Sequence, residues 1–408
     1  MTMKNIFGLF LLAALFAGCS RESLDDRQLP PELTIGTVEY TIAAEGGEVQ
    51  VPFAVNVDWE ASVAYDEGDS GWLVLPPPAS GAAGEALLTL SAGSRFATTE
   101  RRAFVDISYA GESCRLTVVQ QAMNDATDIA SVFDPDFARE LQKHGYVADA
   151  GHIAFGEVKS IRDIDLSVAS GSDCVELTSL AGLQFFESLI RLDCSYNKLT
   201  ALELSAHSAL EMLNCRGNEL TGLDLSANPA LKELNCANNK LTKLDLSVNS
   251  ALETLYCDNN KLVSLSVSRS PNLAVLGCSN NKLTTLDVTG NTALLSLSCF
   301  ANSLTSLDVS RNTLLKTLSC IDNRLVALDV SANVKLEELF CNSNRLESIN
   351  IHRNTSLTEF RCRDNPGKNN KFVVKAWFDD RSVPLQKFTN SPWEFNGVEI
   401  TIHYERVV

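Results

Sequence analysis

The chain has 408 residues, 45% of them apolar and 21% charged, and a formal net charge of −17 at pH 7. This length admits two or three globular domains with cores of ordinary size. The acidity excludes nucleic acid and a bare anionic bilayer as electrostatic partners, and leaves basic partners open.

The first residues read as an export segment. Lys4 supplies the positive charge, Ile6 to Phe16 is apolar but too short to span a membrane comfortably, and Phe16-Ala17-Gly18-Cys19 follows. Small residues directly before a cysteine resemble a bacterial lipobox, with Phe16 standing where leucine is usual. The resemblance implies cleavage before Cys19, acylation of its sulfur and amine, and an anchor of two or three chains, enough for stable attachment. The alternative is an ordinary signal peptide. Ser20-Arg21-Glu22-Ser23-Leu24-Asp25-Asp26 is similar to the acidic export tag of surface lipoproteins of some gut Gram-negative bacteria, or is a solvated tether. The expectation is a signal peptide over 1–18, a tether over 19–32, and an outer-membrane protein facing the cell exterior.

Residues 33–123 carry alternating segments at Tyr40-Thr41-Ile42, Val49-Gln50-Val51, Phe104-Val105-Asp106-Ile107 and Leu116-Thr117-Val118-Val119. Gly46-Gly47, Pro76-Pro77-Pro78 and Gly111-Glu112 punctuate them, a pattern of short strands expected of a β-sandwich. The ordered set Glu45-Gly46-Gly47-Glu48-Val49, Asn56-Val57-Asp58-Trp59, Trp72-Leu73-Val74, Arg101-Arg102-Ala103-Phe104-Val105 and Val118-Val119-Gln120-Gln121 resembles a BACON domain. That resemblance implies an immunoglobulin-like β-sandwich that serves as a spacer or as a carbohydrate- or mucin-binding module. Trp59 and Trp72 either stack on a sugar or belong to the core.

Residues 124–188 predict a linker and an N-terminal cap. Phe137 and Leu141 share a helical face over Pro135 to His144, with Asp134 as N-cap. Tyr146 to Glu157 resembles a worn-down EF-hand loop, with Gly151, Ile153 and Glu157 in place but Tyr146, Ala148 and Ala150 where oxygen ligands belong. The loop is therefore expected to cap a solenoid rather than hold calcium.

From 189 to 365 the chain repeats every 21 residues. Nine cysteines keep the interval (Cys194, Cys215, Cys236, Cys257, Cys278, Cys299, Cys320, Cys341, Cys362), and an asparagine follows each by three residues, from Asn197 to Asn365. A fixed period of this length marks a solenoid. The unit running from Leu213-Asn214-Cys215 to Ala230-Leu231 resembles internalin-like leucine-rich repeats of a cysteine-bearing kind common in bacterial surface proteins. One coil buries Leu213, Cys215, Leu220, Leu223, Leu225 and Leu231, which contributes roughly 10 kcal/mol. Ordering each residue costs about 1–2 kcal/mol, so a lone coil cannot fold and stacking is obligatory. Residues 366–408, with Phe372-Val373-Val374, Trp393-Glu394-Phe395 and Val398 to Ile402, predict a β cap whose Trp377 and Trp393 cover the open end.

The columns of the repeat divide by chemistry. The asparagines should turn the chain and bond coil to coil. A second, looser column runs His207, Asn228, Asn249, Ser270, Asn291, Asn312, Asn333, Asn354 and predicts another bend. In-register cysteines form a line rather than a metal cluster, and are expected as reduced apolar filler. Cys114 and Cys174 stand outside that line without an assigned role. Glu203, Asp224, Asp245, Asp287, Asp308 and Asp329 form a carboxylate column, explained by hydrogen bonds to nearby hydroxyls and N–H groups or by bound calcium. Lys198, Lys240, Lys261, Lys282, Arg324 and Arg345 form a solvated basic edge.

The strand positions beside each buried leucine and cysteine should face the concave side, where the repeat leaves the residue free. They include Arg216, Tyr256, Asp258, Phe300, Ile321, Phe340, Arg361 and Arg363, with a shallow middle at Ala237, Gly277, Ser279, Ser296 and Ser298. Apolar groups with a polar rim suit a protein partner, although scattered surface apolar residues would look alike. No G-x-S-x-G, H-E-x-x-H, P-loop or dinucleotide fingerprint occurs. The expectation is a non-enzymatic, cofactor-free, metal-free surface adhesion or binding protein that recognises a protein through the solenoid, the alternative being glycan or mucin binding through the sandwich module.

Overall fold

The computed structural model describes residues 29–65, 70–168, 175–380 and 388–407. The export segment with Cys19, and Cys174, lie outside the described residues. The chain divides into two compact units at Gln121, with Phe96–Thr98 belonging to the second.

The first unit is all β. Its strands are β1 (Leu33–Ile35), β2 (Glu39–Ile42), β3 (Gly47–Val55), β4 (Trp59–Tyr65), β5 (Leu73–Val74), β6 (Ser80–Gly81), β7 (Gly84–Ala92), β8 (Arg101–Tyr109) and β9 (Glu112–Gln120). They form two sheets, ordered β1-β3-β7-β5 and β2-β9-β8-β4-β6. Period-two alternation sets what each sheet buries. Ala103, Val105 and Ile107 of β8 and Leu116 and Val118 of β9 point inward and share one core with Val51, Phe53, Leu88 and Leu90 of the other sheet. Trp59 and Trp72 are both core residues. Trp59 is buried with its ring edge-on to Phe53, 4.9 Å between centroids. Trp72 is buried under the Arg101 guanidinium, 4.4 Å from its ring centre.

The second unit begins with the cap. Helix α1 (Pro135–Lys143) starts where the Asp134 carboxylate accepts the N–H groups of Asp136 and Phe137 at 3.0 and 3.1 Å. It buries Phe137 and Leu141 completely. The loop that follows leads to the short helix α2 (Phe155–Val158) and is closed by Glu157, whose carboxylate accepts the N–H of Ala148 at 3.4 Å and of Ala154 at 3.1 Å. The glutamate thus satisfies the loop's own backbone.

Ten parallel strands follow, each of three residues: β10 (Asp163–Asp165), β11 (Arg191–Asp193), β12 (Met212–Asn214), β13 (Glu233–Asn235), β14 (Thr254–Tyr256), β15 (Val275–Gly277), β16 (Ser296–Ser298), β17 (Thr317–Ser319), β18 (Glu338–Phe340) and, after the edge segment β19 (Ser348–Asn350), β20 (Glu359–Arg361). The sheet therefore begins at β10, upstream of the first periodic coil. From β11 onward each residue pairs with the one 21 positions later, so Leu213 lies on Leu234 and Leu234 on Leu255. The nine ladder cysteines are all fully buried and none is in a disulfide.

Two asparagine columns hold the coils together, in different ways. In the first, Asn218 is typical: its Nδ2 donates to the carbonyls of Cys194 and Cys215, both at 3.0 Å, and its Oδ1 accepts the N–H of Leu199 at 2.9 Å. One amide thus bonds two successive coils, as expected. The turn itself is made one residue earlier. Tyr196, Gly217, Asn238, Asn259, Asn280, Ala301, Asp322, Ser343 and Asp364 all have left-handed φ, between 51° and 69°. The second column is as tightly buried as the first. Asn249 donates to Leu225 and Asn228 carbonyls at 3.3 and 2.8 Å, while its Oδ1 has no partner.

The far end is closed by β19, β21 (Lys371–Ala376), β23 (Val398–Arg406) and β22 (Trp393–Phe395), paired in that order. Trp393 is buried and donates its indole N–H to the carbonyl of Asn365 at 2.9 Å, which ends the asparagine ladder. Trp377 is partly buried against Phe378 and Phe388. Thr389 covers the open edge of the parallel sheet: its N–H donates to Phe360 O at 2.9 Å and its Oγ1 accepts the Cys362 N–H at 3.0 Å.

Candidate binding face

The parallel sheet turns one face to the leucine core and the other outward. Alternation within each three-residue strand decides this: the central residue is buried and its two neighbours point away. The third outward position is the residue after each ladder cysteine. These positions carry the chemistry that the repeat does not need.

Tyr256 is 40% exposed. Phe300, Ile321 and Phe340 are half-buried rather than open, because neighbouring coils in register crowd their flanks. Phe300 and Ile321 occupy the same position in successive coils, and Phe340 stands in the next strand opposite Ser319. These three therefore follow one another in consecutive coils as an apolar strip that steps sideways by two residues at Phe340, since Ile321 is followed in register by Asn342. Tyr256 is set apart from it by the coil that carries Gly277 and Ser279.

The charged positions also separate. Arg361 and Arg363 are exposed at the last coil, and Arg361 pairs with Glu359 at 2.9 Å. Exposed Arg216 lies toward the other end, its guanidinium 5.6 Å from the Tyr196 ring centre. Asp258 is half-buried; its Oδ1 accepts the N–H of Ser279 at 2.8 Å. Burial pushes the Asp258 carboxyl above its usual range despite that bond.

Sequence reasoning missed Tyr196, which is 46% exposed. It occupies the left-handed turn position, which belongs to the turn by pattern and reaches the surface only through its size. A Cβ on Gly217 would come within 2.8 Å of this ring, so the glycine in the next coil makes room for it. Polar links join the first coils as well. Asn214 Nδ2 donates to Asp193 Oδ2 at 2.8 Å, and Asp193 Oδ1 accepts the N–H of Ser195 at 2.9 Å.

The carboxylate column has a local explanation. Each acid accepts the N–H two residues ahead, as Asp224 does from Ser226 and Asp308 from Ser310, both at 2.9 Å. The backbone N–H of Ser226 holds Asp224 below the usual carboxylate range, and the hydroxyl of Ser310 does the same for Asp308. The basic edge is partly paired, Lys240 meeting Glu219 at 2.8 Å; such exposed pairs contribute little to stability.

Residues 208–248 and 229–270 match the family model for leucine-rich repeats in two copies. The solenoid carries leucine-rich repeats. Such solenoids are, as a class, interaction modules that bind on their extended sheet surface. Among solved structures, the leucine-rich chain is similar to the functional domain of InlJ from Listeria monocytogenes, which includes a cysteine ladder. The two are 31% identical, with 58% of this chain and 61% of that chain covered and a TM-score of 0.43. The chain thus spans less than two thirds of that domain. It is also similar to the leucine-rich repeat domain of APL1B, at 20% identity, 57% and 77% coverage and a TM-score of 0.42. No curated protein matches the sequence.

Proposed function

We propose that this protein is a lipid-anchored outer-membrane protein, displayed at the cell exterior, that recognises another protein through the outward face of its leucine-rich sheet. The observation that carries the reading is the strip Phe300–Ile321–Phe340. These are apolar side chains left partly open in consecutive coils, at positions where most other coils of the same repeat place a polar, charged or small residue. Half-open aromatic residues with arginines at the rim have the make-up of a protein-binding hot spot. The export segment and Cys19 support the anchor and the location. The alternative, glycan binding through the first unit, loses its two obvious platforms, since Trp59 and Trp72 are buried.

The test is binding of the soluble chain from residue 24 onward to mucin, before and after enzymatic removal of its glycans. Binding that survives deglycosylation and is lost in the double variant Phe300→Ala/Phe340→Ala supports the reading. Binding lost with the sugars but untouched by that variant sinks it. For the anchor, Cys19→Ala should release the protein from the membrane fraction.

A further inference from the structure

Of all the outward positions on the sheet from β11 to β20, Gly277 alone lacks a side chain. A Cβ there would stand 2.5 Å from Asp258 Oδ2 and 2.9 Å from Tyr256 Cδ1. The carboxylate and the ring of the preceding coil therefore lean over bare backbone. Beside Gly277 the surface stays low: Ser279 is fully buried, and its Oγ lies 2.9 Å from Ser298 Oγ in the next coil. The sheet thus has a step, floored by Gly277, Ser279 and Ser298 and rimmed by Tyr256 and Asp258 on one side and Phe300 on the other.

The step is charged but not neutralised from within. Ser279 binds Asp258 Oδ1, and among the described residues no lysine or arginine forms an ion pair with this carboxylate. Arg216 acts on it only at a distance, from two coils away. A half-buried carboxylate without a cation is unfavourable, and a cation supplied from outside would relieve it.

We propose that this step is a subsite for one basic side chain, an arginine or lysine, of the protein partner. The inference rests on the reading that the sheet face binds a protein. The cation meets Asp258 Oδ2 while the side chain lies against the Tyr256 ring, a carboxylate–aromatic pairing that suits guanidinium or ammonium. The chain's net charge of −17 favours the approach of such a partner. Phe300 stands two coils beyond Asp258, about 10 Å at the spacing of parallel strands, which is one turn of polyproline II peptide at about 3.1 Å per residue and puts residues i and i+3 on the same side. The partner segment is therefore expected to read basic-x-x-apolar across the step.

The probes are synthetic decapeptides with phenylalanine three residues after one variable position, occupied by arginine, lysine, citrulline or alanine. They are titrated against the soluble chain from residue 24 onward. The arginine and lysine peptides should bind at least about tenfold tighter than the citrulline peptide, which has nearly the same shape without the charge. Asp258→Asn should erase that preference, and so should Gly277→Ala, whose Cβ displaces the carboxylate and the ring. Phe300→Ala/Phe340→Ala should weaken all four peptides alike, so a failure of the sheet-face reading shows up separately from a failure of the basic subsite. Equal binding of arginine and citrulline peptides overturns the proposal. So does a preference that persists in Asp258→Asn, or no binding of the arginine peptide at millimolar concentration. Displacement of the arginine peptide by glycans released from mucin, with glycan affinity itself falling in Asp258→Asn, reassigns the step to sugar and overturns it as well.

Discussion

Removing an asparagine from each column separates their roles. Asn344 and Asn333 lie in adjoining turns and are both buried, so Asn344→Ala and Asn333→Ala delete the same atoms from similar surroundings. Asn344 Nδ2 donates to Cys320 and Cys341 carbonyls at 2.9 and 3.2 Å and also faces the Asn342 carbonyl at 3.0 Å, which keeps the Asp322 N–H without it, and its Oδ1 accepts the Leu325 N–H at 3.0 Å. The Cys320 carbonyl keeps a donor from Asn323 and the Cys341 carbonyl keeps one from Asn365, so each is weakened rather than orphaned. The Leu325 N–H loses its partner outright. An orphaned buried N–H costs about 2 kcal/mol and each weakened carbonyl about 0.5, for a total of about 3. Asn333 Nδ2 donates to Val309 and Asn312 carbonyls, both at 2.9 Å, but those carbonyls also accept the Asn312 and Leu315 N–H groups. Its Oδ1 is unpaired, so truncation removes a buried unsatisfied atom as well as two bonds. The net loss should be about 1 kcal/mol or less. Urea unfolding of the two variants should therefore differ by about 2 kcal/mol, a factor of about thirty in the folding equilibrium, with Asn344→Ala the weaker protein. A loss in Asn333→Ala that equals or exceeds the loss in Asn344→Ala would refute the assignment of the structural bond to the first column.

Further outcomes follow from single positions. Ala301 adopts a φ of 52° where three other coils use asparagine, so Ala301→Asn should raise the thermal midpoint by the equivalent of about 0.5–1 kcal/mol; a lower midpoint would show that the turn tolerates alanine without strain. Burial pushes the Cys320 thiol up to about 12, and its ladder neighbours also rise. A maleimide at neutral pH should therefore modify partly buried Cys114 in the native chain and reach the ladder only after unfolding; native labelling of Cys320 would contradict the packed ladder. Asp258 has a folded-state pKa above its unfolded one, so its charge opposes folding above the folded value, and the penalty disappears as pH falls through it. Asp258→Asn should accordingly stabilise the protein near neutrality and lose that advantage in acid, and an equal effect at both pH values would remove burial as the cause.

Much of the architecture was legible in the residues because a repeat multiplies weak signals. One cysteine or one asparagine says little; nine of each at one interval define a coil, its buried side and its turn. The N-cap at Asp134, the buried Phe137–Leu141 face and the closing indole of Trp393 were likewise readable, since each rests on local chemistry or on an apolar group with nowhere else to go. The strands of the first unit followed from alternation of apolar and polar residues.

Periodicity could name the outward positions but not how far each one opens to solvent. That depends on what the coils on either side contribute, which is why Phe300, Ile321 and Phe340 are half-buried while Tyr256 and Tyr196 stand out. The exposure of Trp59 and Trp72 was equally undecided by pattern, and the meeting of two sheets placed both in the core. The left-handed residue of each turn was hidden because asparagine, aspartate, serine, alanine, tyrosine and glycine all occupy it. The step at Gly277 exists only because stacking in register brings the side chains of one coil over the backbone of the next. Sequence determined the coil, since its period and its buried positions are properties of one strand and one turn. Tertiary structure decided the relief and charge of the outward sheet face, since exposure and charge pairing are set between coils and not within one.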